Sequence, residues 1–141
     1  MKRLFTGLSL MAALLVATSL AACGDDDDDG ADKEVQLSEA DNGKTVTVAL
    51  GREVVVALAS NPTTGYSWAV VRPEPANLEL QGEPHYVAAN PPTPVVGAGG
   101  TEVFTFKATK SGTSTLSMAY RRSFEPTAPP AKTFTVTVEV R

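Results

Sequence analysis

Few residues in this chain are equipped for covalent or metal chemistry. There is one cysteine, Cys23, and one histidine, His85. Nucleophilic catalysis needs an activated group, a base within hydrogen-bond reach and a partner to orient that base, and no spacing here suggests such a set. His85 lies between Pro84 and Tyr86, without the cysteines, second histidine or ordered carboxylates that a zinc site would use. Asp25 to Asp29 form an acidic run, yet it lacks the spaced carbonyls and glycine turn of an organised calcium cage. The sequence therefore offers no catalytic set, no metal and no cofactor, and an enzyme is not the expectation. What it does offer is three connections longer than a hairpin needs, which hold Asn61-Pro62-Thr63-Thr64-Gly65-Tyr66, Gly97-Ala98-Gly99-Gly100 and Arg122-Ser123-Phe124, and function is to be sought at those loops. Small hydroxyls, turn formers, an aromatic ring and a guanidinium are residues that recognise a surface.

The elements that must position these segments have the period of strands. Val46, Val48 and Leu50 alternate with Thr45, Thr47 and Ala49, and Gly51-Arg52 turns the chain into Val54, Val56 and Leu58. Val55 and Ala57 are apolar too, so this second strand is expected to be buried on both faces near its middle. Tyr66, Trp68 and Val70 continue the pattern until Pro73 and Pro75 remove ladder donors. Leu78 and Leu80 mark a short strand, continued weakly by Tyr86. Phe104, Phe106 and Ala108, then Leu116, Met118 and Tyr120, then Phe134, Val136, Val138 and Val140 give three further inward faces. Trp68 is assigned to the core and Arg121 to solvent. Nothing reads as a helix. The expected fold is all-β, an immunoglobulin-like β-sandwich of about seven to eight strands with Greek-key connections. In such a sandwich the long connections Ser60–Gly65, Ala88–Gly100 and Arg121–Ala131 gather at one end.

The chain of 141 residues has room for one domain and a leader. Residues 1–22 read as an export signal, with Lys2 and Arg3 ahead of an apolar run from Leu8 to Val16. Leu20-Ala21-Ala22-Cys23 resembles the lipobox of bacterial lipoproteins, which implies that Cys23 becomes a lipid-modified N-terminus. The expected location is therefore an exported domain, lipid-anchored at Cys23 to a cell-envelope membrane. Residues 23–33 form the anchor and an acidic tether, because a run of aspartates repels itself and has nothing to bury. Residues 34–141 form the domain. With the only cysteine spent on the anchor, no disulfide can form within the chain, and the core must be stable by burial alone. From Lys33 onward ten basic residues balance ten acidic ones, so the domain lacks the clustered basic face that nucleic acid requires. Nothing in the pattern calls for obligate assembly, and a monomer is expected.

Asn61-Pro62-Thr63-Thr64-Gly65-Tyr66, followed by Trp68, resembles the signature of the chagasin family of cysteine peptidase inhibitors. Gly97-Ala98-Gly99-Gly100 is similar to that family's Gly-x-Gly-Gly loop, and Arg122-Ser123-Phe124 stands where the family has Arg-Pro-Trp or Arg-Pro-Phe. Ser123 in place of proline removes a torsional restraint from the free loop, worth about 0.4 to 1 kcal/mol. The resemblance implies a reversible inhibitor of papain-like cysteine peptidases that fills the active-site cleft with three loops. It implies that Thr63 and Thr64 enter the cleft, that the glycine loop approaches one wall, and that Arg122 and Phe124 grip the other. The competing expectation is a non-inhibitory envelope module that binds a protein or glycan through the same loops.

Overall fold

The computed structural model describes residues 34–90, 93 and 95–141. The segment read as an export signal, Cys23 and the acidic run lie outside the described residues. Nine strands form, in order β1 (Val35–Leu37), β2 (Thr45–Val48), β3 (Glu53–Ser60), β4 (Tyr66–Val70), β5 (Leu78–Leu80), β6 (His85–Ala88), β7 (Gly100–Ala108), β8 (Gly112–Arg122) and β9 (Lys132–Val140). One sheet runs β1-β3-β7, with β5 and β6 both paired to the far edge of β7; the other runs β2-β9-β8-β4. Sequence neighbours such as β3 and β4, or β7 and β8, thus fall in different sheets, which is the immunoglobulin-like sandwich.

Alternation decides which face packs inward. Val54, Val56, Leu58, Phe104 and Phe106 from one sheet meet Leu116, Met118, Phe134, Val136 and Val138 from the other, all essentially without exposure. Three expectations need correction. The strand count is nine, because the short edge strand β1 and the separate β6 add to those with clear alternation. Leu50 is 53% exposed, since β2 ends at Val48 and Leu50 belongs to the turn. Val55 and Ala57 are only half-buried, because the outer face of β3 has no third layer over it. Two single-turn 3-10 helices also form, at Glu39–Asp41 and Pro62–Thr64, where no helical turn was expected. Neither is long enough to leave a periodic signature.

Register fixes the ends of the sandwich. Ser60 faces Gly100 and Tyr66 faces Arg122, so the three long connections leave from one pole. β1 runs parallel to β3, with Val35 opposite Val54. Val140 faces Gly112, which places the beginning and the end of the described domain at the other pole. There Asn77 is buried, donates to the carbonyls of Gly112 and Val138, and accepts from the Ser114 hydroxyl. Its full set of partners offsets the cost of burying an amide and pins the turn into β8.

Candidate functional site

The first loop is a closed 3-10 turn built around Asn61. Pro62 occupies the first turn, where its missing N–H costs nothing, and Gly65 ends it in the left-handed region at φ +79°. Each polar group of Asn61 has a partner. Its N–H donates to the Tyr120 hydroxyl (2.8 Å), its Nδ2 to the Gly97 carbonyl (3.0 Å), its Oδ1 accepts from the Thr63 hydroxyl and its carbonyl from the Thr64 hydroxyl (both 2.6 Å). The two threonines stand exposed at the tip, but their hydroxyl protons are committed inward. What they present outward is methyl groups and oxygen lone pairs, so toward a partner they act as acceptors.

The second loop reaches the first through that Asn61–Gly97 bond. Its glycines divide by role. Gly97 has φ +78° and open space where a Cβ would stand, and it is exposed. Gly99 needs its bare Cα for the loop itself: a Cβ there would lie 3.1 Å from the Ser60 carbonyl oxygen. Gly100 is the first residue of β7, and a Cβ on it would collide with the Val87 carbonyl and the Tyr86 ring of β6. Of the four residues expected to approach a partner, Gly99 and Gly100 are therefore half-buried against their own chain. Val95 and Val96, just before Gly97, are 61% exposed and fully exposed. They were not singled out by sequence, though a Val-Val pair inside a turn-rich segment is the signal that marks them.

The third loop folds onto the first. Phe124 packs beside Gly65, whose absent Cβ would be 3.1 Å from the Phe124 ring, yet the ring remains 67% exposed. The Arg122 guanidinium lies 4.7 Å over the Tyr66 ring and 5.8 Å from the Phe124 ring, with Glu125 at 3.6 Å. Arg122 thus buttresses Tyr66 and joins the two loops by cation–π contact. Ser123 is exposed between them. Beneath, Tyr66 stacks on Tyr120 at 5.3 Å, and Trp68 meets Tyr120 in a tilted contact at 5.1 Å. Trp68 is buried as expected, and its indole N–H donates to the Ala59 carbonyl. Arg121 is half-buried on the outer face of β8.

The pole so assembled is a protruding edge: an exposed turn at its centre, a valine and glycine flank on one side and a phenylalanine on the other. It suits insertion into a groove on another protein.

Comparison with known proteins gives the family. Residues 47–138 match the profile described as chagasin family peptidase inhibitor. The chain is 34% identical to chagasin of Trypanosoma cruzi over 105 residues, covering 72% of this chain and 93% of that protein. It is 35% identical to amoebiasin-1 of Entamoeba histolytica over 107 residues, covering 76% of this chain and all of the relative. Among solved structures, a cysteine protease inhibitor from Entamoeba histolytica superimposes with a TM-score of 0.67 at 26% identity, covering 76% of this chain and 95% of that one. This chain belongs to the chagasin family of peptidase inhibitors.

Proposed function

We propose that the chain inhibits papain-like cysteine peptidases reversibly, by seating the loop pole in the active-site cleft. The observation that carries this reading is the convergence of the three loops on Asn61, Gly65 and Tyr66. Thr63 and Thr64 enter first. Because the tip is a closed helical turn and not an extended strand, it fills the space over the catalytic cysteine without laying a peptide bond across it. Internal hydrogen bonds hold that turn before docking, so little ordering entropy is lost on binding. Phe124 and the Val95–Val96 flank then cover the two walls, with an interface of about 800 Å² per partner. Arg122 contributes chiefly by holding Tyr66 and Phe124 in place.

The same proposal includes delivery. Residues 1–22 direct export, and Cys23 carries lipid that holds the domain at a cell-envelope membrane through the acidic tether; the Leu20-Ala21-Ala22-Cys23 segment supports this. Partition of the mature protein into a detergent phase, and its transfer to the aqueous phase on Cys23→Ser, checks the anchor.

The decisive test of function is a steady-state titration of residues 33–141 against active-site-titrated papain, with a serine peptidase as control. Competitive inhibition of papain alone is the expected result. No inhibition at micromolar protein under reducing conditions would sink the reading and leave the loop pole to a different protein or glycan.

A further inference from the structure

Glu102 is a charged residue in a position that strand parity reserves for the core. It shares the inward face of β7 with Phe104 and Phe106, both buried, and it is itself half-buried. Its backbone is held on both sides, opposite Leu58 of β3 and Tyr86 of β6, so its side chain leaves a fixed base. The carboxylate crosses the sandwich and accepts the backbone N–H of Trp68 at 2.9 Å. Trp68 lies on β4, the last strand of the opposite sheet, and this N–H is one that an edge would otherwise leave open. A charge-assisted acceptor is stronger than a neutral one, and a side chain that links two sheets does what no ladder bond can.

Location gives the link its meaning. Glu102 stands two residues after Gly100, where the second loop ends, and Trp68 two residues after Tyr66, where the first loop ends. The Asn61–Gly97 bond joins the same two loops nearer their tips. We propose that Glu102 is a positioning residue for inhibition: its bond to Trp68 fixes the spacing of the first and second loops before any peptidase arrives. This rests on the inhibitory reading above. Without the bond, the loops sample other spacings, and the fraction of molecules ready to dock falls.

That mechanism predicts where the defect appears. When only a fraction of the inhibitor is competent, association slows by that fraction while dissociation of the formed complex does not change. Loss of a contact with the peptidase would instead speed dissociation. The experiment compares the full-length chain in nonionic detergent with Glu102→Asp, which keeps the charge but shortens the reach, and Glu102→Gln, which keeps the reach and an acceptor oxygen. Stopped-flow binding to papain is expected to show association slowed about tenfold in the aspartate variant, dissociation unchanged, and recovery to within about twofold in the glutamine variant. Hydrogen exchange without peptidase is expected to show faster exchange of Trp68 and of residues 61–66 in Glu102→Asp alone. An unchanged association rate together with parental exchange in Glu102→Asp overturns the proposal, as does a glutamine variant no better than aspartate. If the parent itself fails to inhibit papain, the functional reading fails, and the exchange comparison still decides whether Glu102 holds the loops.

Discussion

The residue on which the site turns is Asn61. Its four hydrogen bonds fix the turn internally, tie it to the second loop and seat it on Tyr120. Asn61→Ala removes the two side-chain bonds while leaving the backbone ones, and is expected to weaken papain inhibition about tenfold, the equivalent of one or two net hydrogen bonds, with little change in the urea midpoint. A parallel shift of stability would show the residue to be structural only. Gly65→Ala is expected to do more. It forces a Cβ into the left-handed region and toward Phe124, at a cost of about 1 to 2 kcal/mol, and moves the third loop away from the first. Inhibition constants for Gly65→Ala and for Phe124→Ala measure that coupling. The turn was legible in the sequence because its chemistry is local: proline, asparagine and glycine within five residues. The bonds that Glu102 and Tyr120 make to the first loop and its strand were not, because their partners lie 34 and 59 residues away. The available clue was parity alone, a carboxylate two residues before Phe104 on the inward face.

At the scale of elements, the long strands and the short β5 at Leu78–Leu80 were legible, β6 only as a weak continuation at Tyr86, and β1 was not. β7, β8 and β9 are nine to eleven residues long, and each carries a run buried at every second position: Phe104, Phe106 and Ala108; Leu116, Met118 and Tyr120; and Phe134, Val136, Val138 and Val140. β6 exposes all four of its residues, so nothing in its burial pattern distinguishes it from a loop, and it exists because β7 offers an edge and Gly100 lets it approach. Gly100→Ala is therefore expected to release β6, seen as faster amide exchange at residues 85–88 and a lower urea midpoint; slow exchange there would show that β6 is held otherwise. The 3-10 turn at Glu39–Asp41 gives a pH signature. The Ser38 N–H, chiefly, and Lys44 beside it hold the Asp41 carboxyl below its ordinary value of 3.8. A depressed folded value means the turn contributes stability above the ordinary carboxylate range and loses it as pH falls through the folded value. Asp41→Asn is expected to flatten that part of the acid limb in thermal melts from pH 6 down to about pH 3.

The whole domain is electrically neutral and has two unlike poles. With ten charges of each sign from Lys33 onward, long-range steering toward a peptidase is weak. Association with papain is expected to change less than about threefold between roughly 0.05 and 0.5 M salt, whereas a steered encounter falls steeply over that range. The parallel pairing of β1 with β3 sends the chain into the domain at the pole away from the loops, and β9 brings it out at the same place. Both ends are thus natural points of attachment. A bead, a fluorophore or a second domain joined before Glu34 or after Arg141 leaves the loop pole pointing outward, so an array of such molecules on any support presents the three loops in one direction.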